Sequence, residues 1–211
     1  MARAATTRTD RRATISRALY SCIIERGYAN TTLKDIADRA GMTPSHVGYY
    51  FDDQAAILVF YTRGLCERIV AGFPTLDPQH SPDRLIDDVV GFCFGEGQPN
   101  TEFLGVVQEL SGLAVHDEVL REIKSQHTEH WQRFLETLFD TIPPTGGLSS
   151  GAASQVAHAL LVGLDTNTLF DPTLTRATAQ ELFRDTLRTL AGLDALPANR
   201  RLPNRHEVTT R

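Results

Sequence analysis

The sequence has little of what marks membrane or secreted proteins. Its 211 residues include no run of about eighteen or more apolar residues, so we expect no transmembrane helix. The amino terminus has arginines without an apolar stretch behind them, which argues against a secretory signal. Cysteine is scarce: Cys22, Cys66 and Cys93 are odd in number and form no CxxC pair, as expected in a reduced compartment. These absences predict a cytoplasmic globular protein.

Common catalytic motifs are missing as well. The sequence has no GxSxG, no phosphate-binding GxxxxGK[ST] loop, no HExxH, and no GxGxxG after a strand. His127 and His130 lie one helical turn apart with Glu129 between them, but two histidines do not complete a zinc site, and exposed helical histidines explain them more simply. We therefore expect no metal, no cofactor and no enzymatic activity.

Charge is distributed unevenly along the chain. The formal net charge of −5 argues by itself against binding to nucleic acid. The first fifty residues nevertheless contain eight basic and four acidic residues, a net +4, so the remainder carries −9. A basic amino-terminal module on an acidic body is expected where one end of a protein meets phosphates, although an ordinary solvated surface would give the same pattern.

Helices are predicted throughout, because apolar residues recur at spacings of three and four and alternating β-branched runs are rare. Breaker-rich segments such as 95–99 and 143–147 separate the helices. We predict an all-α fold of about nine helices, at roughly 10–26, 33–40, 44–50, 53–72, 83–95, 102–112, 117–141, 150–170 and 174–192.

The predicted helices divide near residue 52. A small basic domain of three helices occupies residues 1–52, and a larger helical domain occupies residues 53–196. Residues 197–211 are polar and rich in arginine, and we expect a disordered tail there.

Helices 33–40 and 44–50, with Gly41 allowing the chain to reverse between them, form a candidate helix-turn-helix. Met42 and Val47 fill the space beneath the turn. Helix 33–40 has one apolar face, formed by Leu33, Ile36, Ala37 and Ala40. Of these, Ile36, Ala37 and Ala40 must be small or apolar because the two helices pack at close range. Some helical bundles share this pattern without binding any ligand, so the spacing alone leaves a plain bundle open.

The second helix of this pair begins with Thr43 as N-cap and Pro44 at the first position. Its outward residues are short hydrogen-bonding side chains and an aromatic, on an element slim enough for a major groove: Thr43, Ser45, His46, Gly48 and Tyr49. At the start of the first helix, Thr31, Thr32 and Lys34 bring together hydroxyl groups, N–H groups and a cation that suit a phosphate.

The amino-terminal motif resembles one family. The order Arg12-x-x-Ile15-x-x-Ala18, then Gly27-Tyr28-x-x-Thr31-Thr32-Leu33-x-x-Ile36-Ala37-x-x-Ala40-Gly41-Met42-Thr43, then Tyr50-Phe51 and Ile57-Leu58, is similar to the signature of TetR-type transcriptional regulators. Leu161-Val-Gly163-Leu164, followed by Phe170-Asp171-Pro172, is similar to the penultimate helix of that family. The resemblance implies a DNA-binding domain of three helices and a larger domain that binds a small molecule and dimerises.

Motif and resemblance together predict the contacts with double-stranded DNA. The residues concerned are Arg11, Arg12, Thr31, Thr32, Lys34, Thr43, Pro44, Ser45, His46, Gly48, Tyr49 and Tyr50. Ser45 and His46 are the candidates for base edges, and Thr43 and Tyr49 for phosphates, although His46 can also be read as a plain surface histidine.

Two positions depart from the family pattern. Members commonly have Tyr where this chain has Gly48, and Lys where it has Gln54. Both usual residues touch DNA phosphates in the family, so their loss should weaken the anchoring to the backbone. Gly48 also costs about 1 kcal/mol of helix propensity.

The helix at 150–170 is expected at a dimer interface. Its segment 157–164 is apolar nearly all round, which calls for cover on both faces, and the resemblance implies a homodimer that faces a palindromic operator. The predicted interface residues are Val156, Leu160, Gly163, Leu164, Phe183 and Leu187. A deeply buried helix in a monomer would show the same composition.

The larger domain is also expected to hold an effector. By position in the family, the residues near the pocket would be Leu65, Phe92, Cys93, Phe103, Val107, Trp131, Phe134 and His158. Aromatic walls with few polar groups suit a small, largely apolar compound, although aromatics at helical spacing also occur as simple core. The resemblance implies that the effector shifts helix 53–72 and relieves repression. An activator, a regulator without an effector and a helical adaptor that binds protein are the alternatives.

Overall fold

The computed structural model describes the backbone of residues 2–95 and 101–193, and the side chains of 10–95 and 103–193. Over these residues the chain forms nine α-helices and no strand, which confirms the predicted all-α fold. The helices are α1 (Ala2–Arg26), α2 (Leu33–Arg39), α3 (Pro44–Gly48), α4 (Gln54–Ala71), α5 (Pro82–Phe94), α6 (Thr101–Ala114), α7 (Glu118–Thr141), α8 (Ser150–Phe170) and α9 (Arg176–Leu190). The predicted tail at 197–211 lies outside the described residues.

The helix starts follow local capping chemistry. Serine or threonine hydroxyls accept a backbone N–H three residues on, at Thr32, Thr43, Ser81, Ser149 and Thr175. Each such cap contributes about 1 kcal/mol and is readable from the sequence. One start was predicted wrongly: α1 begins at Ala2 instead of near Asp10, because no glycine or proline interrupts the residues before Asp10 and alanine and arginine favour helix.

The described chain forms two compact units. Unit one contains the chain up to Ala71 together with Gly105–His127, and unit two contains Gly72–Leu104 and the chain from Thr128 onward. The division into compact units therefore places α4 with the first three helices, whereas the boundary predicted near residue 52 separates α4 from them. The reason is packing, since α1 contacts both α2 and α4, and the Tyr20 and Tyr61 rings stack with centroids 5.7 Å apart.

Unit one has a continuous apolar core. Five of its larger side chains, contributed by the first four helices, have no solvent exposure: Ile15, Leu19, Ile36, Val47 and Ile57. Burying side chains of this size stabilises the fold by roughly 1.5–3 kcal/mol each. The same core fixes the position of the helix-turn-helix within the unit.

Unit two includes α5, most of α7, α8 and α9, and α9 packs against both α5 and α8. Phe139, Phe183 and Leu187 are among its fully buried side chains. Arg184 of α9 forms an ion pair with Asp87 of α5 at 2.9 Å. A second ion pair, between Arg188 and Asp83, joins the last turn of α9 to the first turn of α5. Within the described ranges, every helix is too short or too polar to cross a membrane.

Arg176, at the start of α9, joins this helix to α5 and α8. Its guanidinium donates to the Cys93 carbonyl at 2.7 Å and lies over the Phe94 ring, 5.0 Å from the centroid. It also approaches the Asp165 carboxylate of α8, at 3.4 Å. Burial raises the pKa of Asp165 to about 6, although the nearby arginine acts in the opposite direction.

Asp165 should make the stability of the fold depend on pH. The folded chain holds the Asp165 proton more tightly than the unfolded chain, whose aspartate pKa is about 3.9. Ionisation of Asp165 therefore lowers the free energy of unfolding. This loss is absent below pH ~4, grows as the pH rises, and is fully present above pH ~6. A difference of about two pH units corresponds to at most ~3 kcal/mol, less the screening of a carboxylate that is 27% exposed.

Asp165→Asn should reduce the loss of unfolding free energy between pH 4 and pH 7 by about 2 kcal/mol relative to the wild type. Urea unfolding at both pH values measures this difference, and Asp140→Asn, at an exposed aspartate of α7, is the matched control. Equal pH dependence in the wild type and Asp165→Asn would contradict the assignment.

Candidate nucleic-acid interface

The turn between α2 and α3 has the geometry of a helix-turn-helix. Gly41 has a φ of +67°, a left-handed conformation that a side chain would strain. The Met42 N–H donates to the Ala37 carbonyl at 2.9 Å, and Met42 itself is buried. The next residue, Thr43, caps α3 by accepting the His46 N–H at 3.2 Å. Glycine at position 41 thus allows two short helices to pack at close range.

Opposite faces of α3 differ sharply in exposure. Val47 has no exposed surface, and Ile36 and Ala37 of α2, the helix on which α3 packs, have none either. Ser45, His46 and Tyr49 are exposed, and the Tyr49 side chain is 70% exposed. The outward residues predicted from the sequence therefore form one solvent-facing surface, together with the exposed Thr43, Pro44 and Gly48.

Tyr50 supports this surface from the side. Its ring lies 5.5 Å from the His46 ring and 5.1 Å from the Tyr49 ring, the latter edge to face. Tyr50 itself is half-buried. Such contacts restrict the orientations of His46 and Tyr49, and so reduce the entropy lost when they bind a groove.

At the start of α2, both threonines that were predicted to contact phosphate form hydrogen bonds within the fold. Thr31 is buried, and it donates its hydroxyl to the Gly27 carbonyl at 2.8 Å and its N–H to the Tyr28 carbonyl at 3.1 Å. Thr32 forms a capping box with Asp35, which takes both its hydroxyl and its N–H. Neither side chain retains a free donor for phosphate, whereas Lys34 is exposed.

Arg12 occupies a different environment from its neighbour Arg11. Its guanidinium carbon lies 4.5 Å from the centroids of both the Phe51 and Phe60 rings, a cation–π arrangement. Its Nε has no hydrogen-bond partner within the described part of the chain. Arg12 therefore packs α1 against the start of α4, while Arg11 is exposed to solvent.

Ion pairs also engage other cations of the basic amino-terminal region. Arg26 contacts Asp35 at 3.1 Å, and Arg39 pairs with Glu25, so both pairs join α1 to α2. The hydrogen bond from Arg39 lowers the pKa of Glu25. Exposed pairs of this kind add little to stability, but they leave fewer cations for phosphates than the sequence count suggests.

The predicted dimer residues separate into two groups. Val156 of α8 is 47% exposed, and Leu160 and Gly163 are partly exposed. The side chains of the other three are buried inside their own chain and cannot form a surface: Leu164, Phe183 and Leu187. These three belong to the core of unit two. Two further apolar residues of α8 are exposed, Val162 and Phe170, the latter to 74%.

The predicted pocket residues are distributed over both units. Leu65 and Val107 belong to unit one, and the other six to unit two. In unit two an aromatic cluster forms around Phe73, a residue that the sequence did not single out. Phe73 stacks on Phe134 with centroids 4.4 Å apart and meets Trp131 edge to face at 4.7 Å. The cluster also includes Phe92 and His158, whose ring stacks on Trp131.

The remaining two predicted pocket residues of unit two are Cys93 and Phe103. Cys93 is buried and its carbonyl is occupied by Arg176, while Phe103 is partly exposed. Burial raises the pKa of the Cys93 thiol, which keeps it protonated and unreactive at neutral pH.

Comparison with protein families identifies both parts of the chain. Residues 15–59 match the model described as bacterial regulatory proteins, tetR family. Residues 82–192, more than half of the chain, match the model of the BetI-type transcriptional repressor, C-terminal. The chain belongs to the TetR family. It is thus a transcriptional regulator of the DNA-binding class, as the amino-terminal motif predicted.

Solved structures share the TetR fold over nearly the whole chain. A transcriptional regulator from Rhodococcus sp. Rha1 has a TM-score of 0.75 at 16% identity, covering 88% of this chain and 99% of its own. A transcriptional regulator from Saccharomonospora viridis in complex with choline has a TM-score of 0.74 at 16% identity, covering 85% and 96%. The fatty acid degradation regulator FadR from Bacillus halodurans has a TM-score of 0.67 at 18% identity, covering 85% and 94%. No curated protein sequence matches the chain.

Gly48→Ala should stabilise this TetR-family protein. A Cβ at position 48 would meet no atom within 4 Å, and the residue is helical, so alanine adds helix propensity of up to about 1 kcal/mol without a clash. Urea unfolding measures the gain. Gly41→Ala is the control and should destabilise, because Gly41 has a positive φ. Destabilisation by Gly48→Ala would show that the glycine is needed at this position.

Proposed function

We propose that the protein is a repressor that binds a palindromic operator as a homodimer and is released by a small, largely apolar effector. One observation carries the DNA-binding part: α3 buries Val47 against the core and turns Ser45, His46 and Tyr49 to solvent. A short helix held in this way suits the major groove, where base edges are distinguishable.

Contacts to DNA divide by chemistry. Ser45 and His46 are assigned to base edges, because they are exposed in the middle of α3. Thr43, Tyr49, Lys34 and Arg11 are assigned to phosphates. Arg12 and Tyr50 support the surface from within the fold, and the small profiles of Pro44 and Gly48 let the backbone approach the groove.

The homodimer rests on the exposed apolar side of α8. Val156, Val162 and Phe170 are each about half exposed or more, on a helix whose opposite side supplies core residues such as Ala157 and Leu161. A two-fold axis would let the same surface meet its copy, with the two α3 helices about 34 Å apart or a multiple of that distance.

The aromatic cluster around Phe73, which includes Trp131, supports the proposal that unit two binds an apolar effector. Its rings offer faces and edges with few polar groups, and aromatic faces also attract quaternary ammonium cations. The regulator from Saccharomonospora viridis shares the fold and holds choline. Choline and a neutral, isosteric alcohol therefore form the first pair to test for release from DNA, because the pair separates cation recognition from apolar burial.

A protein-binding helical adaptor remains the rival from another class. A gel shift with random duplexes at low salt separates the two functions, because an operator-binding protein retains at least weak non-specific affinity for DNA. Absence of any shift by the full chain would overturn the proposed function.

Selection of bound sequences from random duplexes should yield a palindrome with the wild-type protein. His46→Ala should relax the preference at one base pair in each half-site, by roughly 1–3 kcal/mol, because one base-edge contact is removed. His80→Ala, at an exposed histidine between α4 and α5, should leave the motif unchanged. An identical motif from the His46 variant would contradict the assignment of His46.

Val156→Glu should weaken dimerisation at least about tenfold, since an unpaired carboxylate buried in an interface costs several kcal/mol. Sedimentation velocity over a range of concentrations measures the effect. Val115→Glu makes the same change at another valine, 64% exposed and outside the proposed interface, and should leave dimerisation unaltered. A monomeric wild type, or a dimer equally stable in both variants, would exclude this interface.

A further inference from the structure

A single carboxylate on α6 reaches the turn that precedes the helix-turn-helix. The Tyr28 N–H donates to Glu109 Oε1 at 2.6 Å, in a partly buried contact between residues 81 positions apart. The same oxygen lies 3.4 Å from where a Cβ on Gly27 would stand. Both partners belong to unit one, so the contact lies within one compact body. A hydrogen bond to a charged acceptor is stronger than one between neutral groups.

The Tyr28 peptide also connects to the other elements of unit one. Its carbonyl accepts the Thr31 N–H at 3.1 Å and the Gln54 amide, at the start of α4, at 3.5 Å. Gln54, which departs from the family's usual lysine, is thus engaged inside the fold. Burial raises the pKa of the Tyr28 hydroxyl, and the Asp53 and Asp117 carboxylates act in the same direction. Residue 28 is therefore held by groups from several directions.

From Tyr28 the contacts continue to α2. Thr31 is buried and returns its hydroxyl to the Gly27 carbonyl at 2.8 Å, which closes the turn into one hydrogen-bonded loop. Thr32, the next residue, is the N-cap of α2. A displacement of the turn must therefore move the start of α2, and with it the α3 helix that packs on α2.

Glu109 lies in the part of α6 that belongs to unit one, which begins at Gly105. A helix moves as a stiff element, so a shift of this part of α6 along its axis displaces the Glu109 side chain with it.

We propose that Glu109 is the positioning residue through which α6 controls the placement of α2 and α3, by its hydrogen bond to the Tyr28 N–H. This inference rests on the proposed function and assigns its regulation to a specific contact. The coupling free energy between two sites is the same in both directions. If a change in α6 alters the affinity for DNA, DNA binding must therefore alter the conformational equilibrium of α6 by the same free energy. The contact can therefore be tested without knowing the effector.

The test follows amide hydrogen exchange by NMR in the full-length protein, free and bound to a duplex from the selection described above. In the free protein, Glu109→Leu should speed exchange of the Tyr28 amide about tenfold or more, because it loses a charged acceptor. In the wild type, the duplex should slow exchange at Tyr28 and along 105–114. In Glu109→Leu, the protection along 105–114 should disappear at saturating duplex.

Two further variants keep the test decisive. Glu118→Leu makes the same change at an exposed glutamate of α7 and should behave as the wild type. Glu109→Gln keeps an acceptor oxygen without the charge and should give an intermediate exchange rate. It replaces Glu109→Leu if that variant fails to fold.

The outcomes separate the two claims. If the wild type binds duplex and the Glu109 variant retains the duplex-dependent protection along 105–114, the coupling is refuted while the proposed function stands. An unchanged exchange rate at Tyr28 in the free variant refutes the contact itself. A wild type that binds no duplex overturns the proposed function and the coupling together.

Discussion

The burial of α3 against α2 is the constraint on which the DNA-binding surface depends. Val47, Ile36 and Ala37 have no exposed surface, so the rotation of α3 about its own axis is fixed by packing. A rotation of α3 by half a turn would expose Val47 and bury the polar face. Because α3 has only five residues, helix propensity alone cannot keep it folded in water. Its stability comes from the contact with α2 and from the N-cap at Thr43.

Much of the fold was predictable because its signals are local. Hydroxyl caps such as Thr32 and Thr43, the proline at position 44 and the glycine at position 41 each specify backbone geometry within a few residues, so most helix ends fell close to their predicted positions. The buried face of α2 was equally readable, since a spacing of three and four places side chains on one side of a helix. The family was recognisable for the same reason, because its motif consists of these caps, turns and faces.

The candidate site was harder to predict because its details depend on distant residues. The environment of Arg12 is set by Phe60, which approaches it from α4. Thr31 is unavailable as a donor to phosphate because its hydroxyl donates to the Gly27 carbonyl. Composition showed that α8 is apolar nearly all round, but could not show which of its faces meets its own chain, so Leu164 was assigned to an interface although it is core. The contact of Glu109 with Tyr28 has no sequence signature at all.

The open space around Gly48 has an evolutionary consequence. No atom lies within 4 Å of its potential Cβ, and the neighbouring Ser45, His46 and Tyr49 also project away from the core. Substitutions at these positions leave the buried scaffold untouched, so their effect on stability stays small. If the proposed base contacts hold, lineages that carry this scaffold can acquire new target sequences by single replacements, without losing a folded protein at any step.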